Sequence, residues 1–291
     1  MKNHKFVLLV LVPAFLHLTL FMVVPIIGSF IISFMDYNPL RMENAFVWLD
    51  NYKKMMQDPL FWKALKNTLV FVLVTVPFNI VLSLLMAQFI SAFRSNKVRS
   101  FFRMVFFLPC IAPLVASSVV WGRSIFSTKT GLINIILNRL GINGVNWLGD
   151  AGILMISVVI FTLWADVGYN TILFNAGLDG IPSEFYEASQ LDGAGPIQRF
   201  FHITLPLLGR TTAFIITMTL ISHFQMFAQF SVMLGKSTPQ NSGLVLTSYI
   251  YKNAFEYKEM GYASAVSIGL FVIIMGITLV EQRMNKMDWE Y

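Results

Sequence analysis

Charge is scarce in this sequence. Only 12% of its 291 residues are Asp, Glu, Lys or Arg, about half the share of roughly 25% that soluble globular chains carry. A soluble domain is excluded on that ground. Cysteine is scarcer still. The single one, Cys110, sits in an apolar run, so no internal disulfide can form, and no Cys/His spacing resembles a metal site. It reads as a small buried apolar residue. Short repeats and low-complexity segments are missing. So are the residue sets of enzyme chemistry: no nucleophile–His–acid arrangement at catalytic spacing and no paired carboxylates inside an apolar stretch. The net charge is +6, yet the bases fall in the gaps between apolar runs and not on one polar face. That distribution argues against a nucleic-acid partner and for anionic membrane lipid.

Apolar sequence is abundant: 56% of residues are hydrophobic, with 27 Phe and 16 Met. A helix needs about 20 apolar residues to cross roughly 30 Å of hydrocarbon. Six stretches qualify, 6–34, 67–93, 104–126, 153–174, 211–234 and 261–280. The expectation is an all-α polytopic membrane protein, one transmembrane domain over 1–291. The start, with Lys2 and Lys5 ahead of an apolar core, has too long a core for a signal peptide and no small-residue cleavage site, so it reads as a retained helix. Arg94, Lys97, Arg99 and Arg103 fill one short loop without an acid, which marks that loop cytoplasmic. Both termini then lie inside, in keeping with Arg283 and Lys286. The whole count is near even, ten Lys/Arg inside and eleven outside, because loop 35–66 is itself basic. In that loop Asp58-Pro59 reads as a helix start, followed by Phe61, Trp62 and Leu65 on one face, with Trp62 at the membrane interface. Pro77, Pro109 and Pro113 fall within spans and permit kinks. His17 and Arg123 read as structural.

Residues 175–210 break the apolar pattern. Glu184, Glu187, Asp192 and Arg199 cluster there, and glycines and a proline interrupt the segment. Pro182-Ser183 starts a helical pattern with Glu184 and Glu187 in its first turns, where the helix dipole favours acids. Phe185, Ala188 and Leu191 can form an apolar face. Gly193 and Gly195-Pro196 break the helix, a second short one covers 197–203, and Pro206 leads into the fifth span. The product is a helix–turn–helix at the cytoplasmic surface, suited to docking a cytoplasmic protein.

Glu187-Ala188-Ser189, then Asp192-Gly193-Ala194, then Ile203 and Leu205-Pro206, preceded by Gly177-Leu178 and Ile181-Pro182, resemble the EAA loop of binding-protein-dependent ABC importer permeases. Ser189 stands where alanine is usual. Leu49-Asp50-Asn51-Tyr52, the run from Phe61-Trp62 to Asn67-Thr68, and Gly261-Tyr262-Ala263-Ser264-Ala265 resemble the carbohydrate-uptake branch, which includes permeases for maltose, glycerol 3-phosphate and oligosaccharides. That branch usually has a glycine-rich stretch after the fifth span; here it reads Leu234-Gly235-Lys236-Ser237-Thr238-Pro239. The resemblance implies a type I importer permease in a prokaryotic cell membrane. It implies a second homologous permease, two ATPase subunits that hold ATP and Mg, and an extracellular solute-binding protein, with no cofactor in this chain. It also implies that Glu187 pairs with a basic residue of the ATPase and that Gly193 makes the turn into its groove.

Gly235-Lys236-Ser237-Thr238 imitates the tail of a phosphate-binding loop. Such a loop needs a glycine five residues earlier, and Phe230 stands there, so the motif is rejected. Inside the spans, polar groups are costly, about 2.5–3.5 kcal/mol for an aspartate at a helix centre. Asp166 is the one acid well inside an expected span. Asn170 lies one turn later, flanked by Tyr169 and Trp164. In the fifth span Ser222, Gln225, Met226 and Gln229 fall on one helical face, with His223 beside it. These two stripes either bond each other to hold a bundle together or line a path for a sugar, whose hydroxyls and faces suit carboxylate, amide and aromatic groups. In permeases of the maltose type the equivalent spans contribute substrate contacts, which favours the second reading. A non-sugar solute such as a glycerophosphodiester or polyol is the alternative cargo. An ion-coupled carrier would need inverted repeats and several intramembrane ion ligands, which this sequence lacks.

Overall fold

The computed structural model describes residues 4–41, 44–235 and 238–284. Lys2, Lys286 and the Lys236-Ser237 pair of the rejected phosphate-loop imitation lie outside the described residues. Along the chain run α1 (His4–Leu18), α2 (Val24–Ile32), β1 (Met35–Asp36), β2 (Ala45–Phe46), α3 (Asp50–Gln57) and α4 (Pro59–Ser91). Then come α5 (Asn96–Ile111), α6 (Leu114–Val120), α7 (Leu132–Arg139), α8 (Leu154–Asp179) and α9 (Ser183–Leu191). The chain closes with α10 (Pro196–Arg199), α11 (Leu205–Leu207), α12 (Gly209–Phe224), α13 (Leu246–Tyr251) and α14 (Met260–Met284). Among the described residues four helical stretches are long and apolar enough to cross a membrane, Leu11–Ile32, α4, α8 and α14, and up to six if two bent pairs each count as one span.

The chain divides into two compact units, 1–64 with 246–273, and 65–245 with 274–291. In the first, Leu11–Ile32 has none of its apolar window buried by the chain, as suits a helix surrounded by hydrocarbon. β1 and β2 pair antiparallel, Met35 opposite Phe46. The Asn51 amide donates to the Ser33 and Met35 carbonyls at 2.9 Å each, and Tyr52 and Ser33 share a hydroxyl bond at 2.7 Å. Those bonds tie α3 to the end of α2. Asp58 starts α4 as its sequence foretells: Oδ1 accepts the Leu60 N–H at 2.8 Å, and Pro59 loses nothing at the first position. Its Oδ2 accepts the Tyr262 hydroxyl at 2.7 Å and also that of Tyr249. Burial raises the Asp58 pKa, but the hydroxyls of Tyr249 and Tyr262 and the backbone at Leu60 outweigh it, so the carboxyl sits below its ordinary value. Burial, then the bond to Asp58, pushes Tyr249 up to about 12. Lys54 pairs with Glu259 at 2.6 Å and lies 4.4 Å from the Tyr262 ring centre.

In the second unit Leu84 and Ala87 of α4, Phe174 of α8, and Leu208 and Ile215 of α12 form one buried cluster. α5 and α8 meet backbone to backbone at Gly168, where a Cβ would overlap the Phe106 carbonyl. Small residues let membrane helices approach this closely.

Two expected spans need correction. The third, 104–126, is not one straight helix: α5 and Leu114–Ile125 meet at 87°. Pro113 has no N–H to continue the ladder and holds Ala112 in extended backbone, φ −65° and ψ 135°. The fifth, 211–234, is also broken. α12 ends at Phe224, a wide turn covers Gln229–Met233, and α12 makes 66° with the Pro196–Leu207 segment before it. Ending there lets Phe230 and Met233 fold back into the core, at 2% and 7% exposure, with the Phe230 ring edge-on to Phe71 at 5.0 Å.

Candidate functional site

A polar cavity of about 320 Å³ opens among these helices, lined by Asp166, Tyr169 and Asn170 of α8 and by Thr219, Ser222 and His223 of α12, with Cys110 of α5. Asp166 Oδ2 lies 3.3 Å from His223 Nε2, and the His223 side chain is 1% exposed against 34% for Asp166. The other ring nitrogen is 3.0 Å from Thr75 Oγ1, and that hydroxyl donates to the Phe71 carbonyl at 2.6 Å. His223 is therefore held at both nitrogens, from α4 and from α8. One turn along, the Asn170 amide donates to Asn79 Oδ1 at 2.7 Å and to Thr219 Oγ1 at 3.0 Å. Asn79, Asn170 and Thr219 are all buried, where polar groups must find each other.

The two expected stripes thus split in role. Asn170 commits its amide N–H groups to the bundle while still bordering the cavity. Asp166 keeps one carboxylate oxygen clear of His223, and among the described residues the side chains of Tyr169 and Ser222 bond no other part of the chain. An acceptor, a phenol and a hydroxyl around one cavity can take a polyhydroxylated solute. Trp164 is not part of this group. It packs on Trp121 at 5.1 Å and beside Phe161, and lines a separate, mostly apolar cavity with Met86, Phe106 and Pro109. Gln225 is an exposed residue just past the end of α12. Met226 and Gln229 are buried and face each other, Gln229 Nε2 lying 3.3 Å from Met226 Sδ. The single face drawn through 222, 225, 226 and 229 required one helix running to 229, but α12 stops at Phe224. Thr75 and Asn79 were missed. Their signal was present, since Thr75, Asn79 and Ser83 recur every four residues in an apolar helix, and all are fully buried.

The segment between α8 and α12 forms a surface element. Glu184, Glu187, Ala188 and Asp192 are exposed, whereas Ser189 is buried. The Ser189 hydroxyl donates to the Tyr186 carbonyl at 2.8 Å, and Tyr186 and Thr204 share a hydroxyl bond at 3.0 Å. A small residue is required at 189, which explains why serine can stand in for alanine. Gly193 has φ +78°. Its N–H bonds Gln190, and that of Ala194 bonds Ser189 at 2.9 Å, the left-handed stop that favours glycine. Gln198 Oε1 then accepts the Gly195 N–H at 3.0 Å to start α10. Ile203 and Leu205 are half-buried, Leu205 against the core cluster, and Pro206 is exposed. The expected apolar face of α9 is left uncovered by the chain: Phe185 is 44% exposed and Leu191 90%.

The fold and this surface element define a class, that of membrane-embedded permease components of transport systems. The family described as binding-protein-dependent transport system inner membrane component matches residues 79–286, and the chain belongs to it. It is a membrane protein and a transport subunit, not an enzyme. It is 33% identical to the probable ABC transporter permease protein YurN of Bacillus subtilis over 96% of this chain and 95% of that one. It is 34% identical to the arabinooligosaccharides transport system permease protein AraP of the same organism, over 94% and 86%. A crystal structure of a bacterial ABC transporter involved in the import of the acidic polysaccharide alginate has the same fold, with a TM-score of 0.87, 23% identity, and coverage of 99% and 98%.

Proposed function

We propose that this chain forms half of the translocation path of an ATP-driven importer for a sugar or oligosaccharide. The observation that carries the substrate class is the cavity where Asp166, Tyr169, Ser222 and His223 meet among the membrane helices; the arabinooligosaccharide transport named for AraP supports it. The other half of the path is a second homologous permease. Two ATPase subunits hold the ATP and Mg, this chain holds no cofactor, and an extracellular binding protein delivers the solute. The chain is a single transmembrane domain in a prokaryotic cell membrane, with both termini in the cytoplasm.

α9 is the coupling element. Glu187 offers charge to the ATPase, Gly193 shapes the turn, and exposed Phe185 and Leu191 supply apolar contact. Closure of the ATPase dimer moves α9, and the Tyr186–Thr204 bond transmits that motion toward α12. α8 lies just upstream, so both helices that line the cavity respond. Solute shifts this equilibrium only through its different affinity for the two states. The test is ATPase activity of the reconstituted complex with its binding protein over a panel of oligosaccharides. Stimulation by at least one carbohydrate is expected. No stimulation by any of them refutes the sugar assignment and leaves the transport-subunit assignment intact.

A further inference from the structure

A second, larger cavity of about 450 Å³ lies where α4 and α8 end, and Arg99, Arg199, Asp179, Tyr186 and Thr204 line it together with Ser91. Its charges do not balance. Asp179 is taken by Arg103, whose Nη2 donates to Oδ2 at 2.7 Å, and Arg99 Nη1 stands 3.9 Å from Oδ1. Arg99 also gives Nε and Nη2 to the Phe93 and Ser91 carbonyls at 2.7 Å each, closing the end of α4. Arg199 has no such partner. Among the described residues its guanidinium makes no ion pair and no hydrogen bond, and its Nε is buried without an acceptor. A buried donor left unpaired costs about 1–3 kcal/mol, more when charged, so an acceptor belongs beside it.

The position says what kind. α4 and α8 are apolar for most of 33 and 26 residues and both finish at this cavity, so it sits where hydrocarbon gives way to water. Headgroup phosphates lie at that depth, and basic cavities between membrane helices hold them. The guanidinium fork matches two phosphate oxygens at once, and the hydroxyls of Ser91, Tyr186 and Thr204 can serve the rest. We propose that this cavity binds one phosphate group through Arg199, with Arg99 as the second cation, the phosphate belonging to an anionic phospholipid or to a soluble phosphate from the aqueous side. Because Tyr186 and Thr204 both line the cavity and also bond each other across the coupling segment, a bound phosphate would brace α9 against the end of the spans. The inference stands on this cavity and not on the sugar assignment.

The test uses the full chain in nanodiscs of equal phosphatidylglycerol and phosphatidylcholine, with retained lipid counted by native mass spectrometry. Wild type should keep phosphatidylglycerol over phosphatidylcholine, and Arg199→Gln should lower that retention by about tenfold, the loss of one charge-assisted hydrogen bond. In a second arm, nanodiscs of phosphatidylcholine alone are titrated with inorganic phosphate and followed by ³¹P line broadening. Broadening that Arg199→Gln abolishes, without any phosphatidylglycerol preference, supports the site and identifies the source as soluble phosphate. If wild type shows neither signal, or if Arg199→Gln leaves each signal unchanged, the proposal is overturned. Should that variant fail to insert, the wild-type signals still decide whether the site exists, and Arg199→Lys, which keeps charge but loses the fork, should retain less than wild type; equal retention places the phosphate elsewhere.

Discussion

Asp166 of α8 and His223 of α12 lie 3.3 Å apart across the wall of the polar cavity, and Thr75 of α4 holds the far side of the same imidazole. Three helices thus meet at one ring. The carboxylate is oriented by the bond through one oxygen and remains open to the cavity through the other.

If that oxygen meets the solute, Asp166→Ala raises the solute concentration for half-maximal uptake by about tenfold, the value of one hydrogen bond to a charged group. Tyr169→Phe should raise it by less. Radiolabelled uptake in whole cells checks both. Unchanged half-saturation in the two variants would assign the cavity to packing alone.

Glu187→Lys and Gly193→Asp should each abolish uptake while the chain still reaches the membrane. The first reverses the charge proposed to meet the ATPase. The second adds a negative charge at the turn, where φ is +78° and nothing in the chain crowds a side chain, so its effect falls on the surface proposed to dock the ATPase. Uptake paired with quantitation of the inserted chain separates coupling from insertion; normal uptake in both removes the coupling role.

Ser189 separates size from polarity. Ser189→Ala loses one local hydrogen bond, about 0.5–1.5 kcal/mol, and should transport normally. Ser189→Leu forces a large side chain into a buried position beside the coupling turn and should release the ATPase subunits on purification. Co-purification of the complex reads this directly.

Asn170→Ala leaves Asn79 and Thr219 without their donor in a dry interior. A loss of about 1–3 kcal/mol follows, visible as a lowered thermal midpoint of the purified chain. Asn170→Asp should be worse, because it buries a charge against a carbonyl. A midpoint equal to wild type for both would mean that water takes the place of the amide.

Asp58 and Tyr249 set the pH range of the first unit. The Asp58 carboxyl is held below its ordinary value, so its contribution is complete above the usual carboxylate range near 4 and is lost as pH falls through the lowered folded value. Tyr249 is raised from 10.0 to about 12, so its contribution is complete below 10 and disappears as pH rises through about 12. Melting temperature should therefore form a plateau between these limits. Asp58→Asn should flatten the acidic edge, and Tyr249→Phe the alkaline one; an acidic edge unchanged in Asp58→Asn would assign it to other carboxyls.

Much of this protein could be read from its residues because the forces involved are local or purely compositional. About twenty apolar residues in a row mark a membrane segment from composition alone. The Asp58-Pro59 start and the stop at Gly193 depend on a few neighbouring backbone groups, so their spacing carries them. Polarity inside apolar runs singled out Asp166, Asn170 and His223. The failures share another cause. The bend at Pro113 and the end of α12 at Phe224 depend on how the rest of the chain packs, since a proline in a span permits a kink without setting its angle, and Phe230 folds back because a core is there to receive it. Gln225 was grouped with the cavity by helical periodicity, but α12 ends before it; Trp164 was grouped as a flank of Asp166, but two residues along one α-helix is about 200° of rotation, so it faces away. The residues alone pointed to an all-α membrane protein with a polar surface segment between two spans, and their resemblance to a known family pointed to a permease. Which polar groups brace the bundle, which face an open cavity, and where Arg199 is left without a partner came from tertiary contacts, because hydrogen bonds between distant segments form only once the helices are assembled.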